Sequence, residues 1–78
     1  MKELVQFLAK SLVNHPEAVE VKETQGETAS VVELKVAKED LGRIIGKQGR
    51  TANSIRTILN AAASRANRKV VLEIIEEK

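Results

Sequence analysis

The chain has 78 residues, no cysteine and a formal net charge of +2, which fits one domain over 1–78 and excludes disulfides and thiolate metal sites. A domain of this size buries only about 60% of the surface its unfolded chain exposes. No apolar run approaches the roughly 18 residues that span a bilayer, and no small-residue cleavage site follows the N-terminus, so the expectation is a cytoplasmic protein with no membrane partner.

In chain order, Leu4, Leu8 and Leu12 recur every fourth residue with Val5 and Phe7 alongside, the pattern of one apolar helix face. Pro16 disfavours helix at His15, so this helix is expected to end near Asn14. Val19 and Val21 then alternate with Glu20 and Lys22. After a turn at Gly26, Val32, Leu34 and Val36 alternate with Glu33 and Lys35. These read as two half-buried strands forming a hairpin. Glu39 and Asp40 stand where a helix N-terminus favours negative charge. A short helix carrying Leu41, Ile44 and Ile45 is stopped by Gly46. A longer helix starts near Arg50, with an apolar stripe of Ile55, Ile58 or Leu59, Ala62 and Ala66. Asn67, Arg68 and Lys69 form a loop. In the last strand Val70, Leu72 and Ile74 face one way and Val71 and Ile75 the other, which suggests burial on both sides. The order helix, strand, strand, helix, helix, strand predicts an α+β domain, αββααβ, with a three-stranded sheet and three helices packed on one face. Glu20, Lys22, Glu33, Lys35 and Glu73 suggest a mostly polar opposite face.

Charge is unevenly distributed. Between Gly42 and Lys69 the chain holds seven basic residues and no acidic one; the rest holds six basic against eleven acidic residues, a net of −5. A basic segment beside an acidic remainder is the footprint of a polyanion binder, although a solvated basic helix face has the same composition. The segment opens with Ile44-Ile45-Gly46-Lys47-Gln48-Gly49-Arg50. Two glycines bracketing two polar residues let the backbone turn sharply and lie close to another chain. The helix that follows offers unpaired N–H groups and a positive dipole end. Lys47 and Arg50 add full charges. The plain alternative is a tight helix–helix connection.

Ile44-Ile45 followed by Gly46-Lys47-Gln48-Gly49 resembles the KH-domain signature of two aliphatic residues and a GxxG loop, and the helix-first order resembles the type II arrangement. In length and order the whole chain is similar to the KhpA-type family of small bacterial single-KH proteins. The resemblance implies a groove for about four nucleotides of single-stranded RNA, clamped by the GxxG loop. By position, Gly46, Lys47, Gln48 and Gly49 would hold phosphates, and the neighbouring Arg43, Arg50 and Asn53 are counted among the RNA-binding residues. Ile45 would floor the groove, with Ile44 in the core. Val70 or Val71 would line the opposite wall, Arg56 would reach a phosphate or base edge, and Arg68 and Lys69 would occupy the variable loop. Many KH domains carry isoleucine where this chain has Ala52, which implies a shallower pocket and a permissive binder. The family further implies an RNA chaperone or post-transcriptional regulator linked to cell shape. It would act as a homodimer or as a heterodimer with a larger KhpB-type partner. Alanines 61, 62 and 63 would permit close helix approach in such a pair.

Other chemistries find little support. Only three residues separate Gly42 from Gly46 and Gln48 follows Lys47, so the P-loop pattern fails. His15 has no Cys or Ser partner in sequence, and no carboxylate falls in the basic segment. The expectation is therefore no enzyme, no cofactor, no metal and no small-molecule substrate. Phe7 is the sole aromatic residue, so an aromatic base-stacking platform is absent. Two other readings remain: a duplex-DNA binder using helix 50–66, and a protein-interaction module on a KH-like fold.

Overall fold

The computed structural model describes residues 1–75. The helices are α1 (Lys2–Leu12), α2 (Leu41–Ile45) and α3 (Arg50–Arg65), and the strands are β1 (Glu20–Gln25), β2 (Ala29–Lys35) and β3 (Lys69–Ile75). Single 3-10 turns fall at Pro16–Ala18, Lys38–Asp40 and Lys47–Gly49.

β1 and β2 form the expected antiparallel hairpin, with Val21 opposite Leu34 and Lys22 opposite Glu33. β2 then pairs in parallel with β3, Val32 beside Leu72 and Leu34 beside Ile74. A parallel pair needs a crossover, and α2 and α3 supply it. The strand order β1-β2-β3 makes β3 an edge strand. Ser30, Val32 and Leu34 point into the core. There they meet Val5 and Ala9 of α1, Ile44 of α2, and Ile55 and Leu59 of α3, all at most 4% exposed. The α+β architecture with three helices on one sheet face is as the sequence pattern predicts.

Several faces differ from the reading of the sequence. On α1 the buried pair is Val5 and Ala9, Leu4 and Leu8 are half-buried, and Phe7 is 69% exposed. Alanine's small side chain lets the helix approach most closely along the Val5–Ala9 row, which turns Phe7 outward. On α3 the buried row is Ala52, Ile55, Leu59 and Ala63, so Leu59 rather than Ile58 faces inward, and Ala63 rather than Ala62 or Ala66. β3 is covered on one face only: Leu72 is buried, whereas Val71 and Ile75 are exposed. Val19 precedes β1 and Val36 follows β2, and both side chains are buried.

Asp40 does not cap α2 with its side chain. Its carboxylate is 1% exposed and accepts hydrogen bonds from the backbone N–H groups of Asn14 (3.0 Å) and His15 (2.9 Å). It thereby ties the exit of α1 to the start of α2. Arg43 Nε lies 3.8 Å from Asp40 Oδ1, and with the Asn14 amide oxygen turned toward it, Arg43 Nη2 donates across 3.1 Å.

Candidate nucleic-acid interface

The connection between α2 and α3 is built by two glycines with different requirements. Gly46 has φ 76° and ψ 174°, a region essentially closed to residues with a side chain. A Cβ there would collide with Thr51, 2.7 Å from its Cβ and 2.9 Å from its backbone nitrogen. Gln48 (φ 57°) and Gly49 (φ 75°) both lie in the left-handed region. A Cβ on Gly49 would meet open space, its nearest neighbour being Asn53 Nδ2 at 4.0 Å. Backbone hydrogen bonds close the turn: Gly46 N donates to Gly42 O (2.8 Å) and Gly49 N to Gly46 O (3.2 Å).

This geometry leaves Lys47 and Gln48 exposed at the tip and seats Gly49 as the N-cap of α3. Arg50 N donates back to Lys47 O, and the turn lies beside the positive end of the α3 dipole, where Gly49 brings no capping side chain. Arg50 Nη2 contacts Gln48 Oε1, and Arg56 Nη1 contacts Asn53 Oδ1, each at 3.4 Å. Such long contacts hold the guanidinium groups loosely. Lys47, Arg50 and Arg56 are all exposed. Arg43 is directed instead toward Asp40 and the end of α1.

Beside the loop lies a depression of about 320 Å³ lined by Leu41, Ile45, Ala52, Arg56 and Ile74. Ile44 is wholly buried and Ile45 is 38% exposed, so the two adjacent isoleucines divide between core and groove. Ala52 is 3% exposed, and its single methyl group leaves the floor shallow. A second depression of about 170 Å³ continues along α3, bounded by Arg56, Leu59, Asn60, Val70, Val71 and Leu72. β3 pairs on one side only, so its free edge presents backbone donors and acceptors along this groove.

The wall nearest the loop is Ile74; Val70 lies farther along, toward the C-terminal end of α3. Leu41, Ile74 and Asn60 escape the reading of the sequence. One signal could have placed Ile74. Only three residues join α3 to β3, and so short a connection forces the strand to run back along the helix, bringing its end to the helix start. Arg68 and Lys69 sit at the opposite end of α3 from the loop. The Arg68 guanidinium donates to Gly26 O (3.0 Å) and Ser30 Oγ (3.1 Å), while Lys69 is exposed. Among the described residues no cluster of His, Cys, Asp or Glu is placed to hold a metal ion. Nor is any helix among them long and apolar enough to cross a membrane.

Residues 2–74 match the model of the KhpA/KhpB KH domain. The chain is 59% identical over 75 residues to the RNA-binding protein KhpA of Clostridium perfringens, covering 96% of this chain and all of that one. It is 54% identical over 78 residues to the RNA-binding protein KhpA of Chlamydia pneumoniae, both chains being covered completely. Among solved structures it is similar to Era in complex with MgGDPNP and nucleotides 1506–1542 of 16S ribosomal RNA, with a TM-score of 0.57 and 23% identity. That match covers 97% of this chain and only 30% of the Era chain, so it speaks to the fold alone.

Proposed function

The chain belongs to the KhpA/KhpB KH-domain family, and on that premise we propose that it is a non-catalytic protein that binds single-stranded RNA between the Gly46–Gly49 loop and the edge of β3. One observation carries the reading: a glycine-bracketed turn with exposed Lys47 and Arg50 adjoins an apolar depression lined by Leu41, Ile45, Ala52, Ile74 and Arg56. The full-length relatives named RNA-binding proteins support it.

The mechanism follows from the parts. Phosphates approach at the Gly46–Gly49 turn and meet the positive end of the α3 dipole and the three cations. Bases lie over Ile45, Ala52 and Ile74, while the free edge of β3 offers main-chain groups to their edges. A floor as shallow as Ala52 makes it contributes little base discrimination, which suits an RNA chaperone or post-transcriptional regulator acting in the cytoplasm on many transcripts. One groove for about four nucleotides is a weak anchor, so the working unit is a homodimer or a heterodimer with a KhpB-type protein, since linked grooves raise effective affinity. Exposed Ile58 and Ala61 on α3 are the surface that supports such pairing; Ala63 is in the core. Duplex DNA is disfavoured because α3 packs into the core on one face and alongside β3 on another, leaving no projecting helix for a major groove.

The test is the double substitution Lys47→Asp/Gln48→Asp. Both side chains are exposed, and aspartate tolerates the left-handed backbone at position 48 better than most residues. The fold should therefore melt within about 0.5 kcal/mol of the parent, as read by circular dichroism. Binding of single-stranded RNA should be lost, because one positive charge becomes two negative ones where phosphates sit. If the variant melts like the parent and binds RNA equally well, the loop is only a connector.

A further inference from the structure

The groove does not end at the second depression. Ala52, Arg56, Asn60 and Ser64 recur every fourth residue on α3 and form one row along the helix. Ala52 and Arg56 line the depression beside the loop, and Arg56 and Asn60 line the second. Asn60 and Ser64 line a third and larger one, about 650 Å³, completed by Thr28, Asn67, Arg68 and Lys69. Each depression shares a residue with the next, so together they make one track the length of α3.

Its character changes along the way, from apolar at the loop end to polar at the far end. Thr28, Asn60, Ser64 and Asn67 can each donate and accept hydrogen bonds, which suits ribose hydroxyls and base edges equally. Lys69 and Arg68 supply positive charge, and no carboxylate lines the depression.

The far end is also preorganised. Asn67 adopts φ 56°, closing α3 with Asn67 N donating to Ser64 O (3.1 Å) and Arg68 N to Ala63 O (3.0 Å). Lys69 N donates to Thr28 O (3.1 Å), joining this turn to the β1–β2 turn. The Arg68 guanidinium fastens the same hairpin from below through Gly26 O and Ser30 Oγ. Two loops are thereby stitched into a rigid floor, which lowers the ordering cost of any ligand placed on it.

We infer that the Thr28–Asn60–Ser64–Lys69 depression binds further nucleotides of the same RNA strand, beyond those held between the Gly46–Gly49 loop and β3. The inference rests on the proposed single-stranded RNA function and extends its footprint. Its occupant is the continuing strand, because the middle depression shares Asn60 with it and its donors and acceptors match sugar and base rather than phosphate alone.

The experiment is a length series of single-stranded RNA, from four to ten nucleotides, titrated by fluorescence anisotropy. It compares the parent with Ser64→Ala/Thr28→Ala, a neutral change, and with Lys69→Glu. Lys10→Glu on the exposed side of α1 serves as the matched charge control. All four proteins should bind the tetranucleotide alike. Longer strands offer every protein the same extra registers, so the ratio of gains isolates the far depression. From four to eight nucleotides the parent and Lys10→Glu should gain about tenfold more than Lys69→Glu and at least threefold more than the neutral pair. Equal gains in all four proteins, with tetranucleotide binding intact, would overturn the extended footprint and leave the loop-end groove standing. A parent that binds RNA of no length would overturn both readings.

Discussion

Gly46 and Gly49 occupy equivalent places in the motif, yet the structure asks different things of them. At Gly46 a side chain meets both an unfavourable backbone region and the body of Thr51, including its main-chain nitrogen, which cannot move without shifting α3. At Gly49 only the left-handed conformation opposes a side chain, at a cost of about 1–2 kcal/mol. Gly49→Ala should therefore lower the melting temperature by roughly 4–16 °C, given that each 1 kcal/mol shifts a domain of this size by about 4–8 °C. Gly46→Ala should lower it further or prevent cooperative folding. Paired thermal melts check the order, and a Gly46→Ala protein more stable than Gly49→Ala would show that Thr51 yields easily. Both glycines were legible in the sequence as a Gly-x-x-Gly spacing between two helical patterns, where the chain opens its acid-free basic segment. The left-handed Gln48 was not legible, because glutamine has no particular preference for that conformation, and neither was Thr51, whose closeness to Gly46 exists only once the turn has closed.

At the scale of elements, periodicity located all six helices and strands, and tertiary contacts decided which face each one buries. Two-fold alternation sufficed for β2, a central strand whose Val32 and Leu34 are fully buried. It misled for β3, where apolar residues on both faces suggested two-sided burial; strand order, which no local pattern encodes, left Val71 and Ile75 exposed on an edge strand. Asp40 shows the same limit. Its acidic position before a helix reads as a dipole partner, whereas its actual partners are backbone amides some 25 residues upstream. That carboxylate sets how α1 meets α2, and α2 carries the loop. Asp40→Ala removes two charge-assisted hydrogen bonds at a buried position, each worth about 1.5–3 kcal/mol. The expected loss is about 3–6 kcal/mol of unfolding free energy, with Asp40→Asn losing less because it keeps one acceptor oxygen. Urea denaturation of the two variants measures this, and a loss below about 0.5 kcal/mol for Asp40→Ala would mean that the junction is held elsewhere.

For the whole molecule, the net charge of +2 conceals a division that the fold sharpens. Of the seven basic residues between Gly42 and Lys69, Lys47, Arg50 and Arg56 stand at the loop end. Arg43 turns to Asp40, the Arg68 guanidinium is hydrogen-bonded to the hairpin, and Arg65 and Lys69 lie at the far end of α3. A tetranucleotide seated beside the loop therefore meets three cations rather than seven. Each phosphate neutralised on a single strand contributes about 0.7 to the slope of log K against log salt. Three cations give a slope near −2, and all seven acting together give about −5. The two values are separable by titrating a labelled tetranucleotide between about 50 and 200 mM salt, where a slope of −2 weakens binding about fifteenfold and a slope of −5 about a thousandfold. The smaller figure is expected, because Arg50 and Arg65, at opposite ends of a helix of 16 residues, are separated by about 22 Å along the axis at a rise of about 1.5 Å per residue. That is at least twice the screening length of about 10 Å at 0.1 M salt, so the far cations are nearly invisible to a short strand held at the loop. A slope of −5 would mean that the basic segment acts as one undivided field, and the separation of the groove into a loop end and a far end would then have no electrostatic meaning.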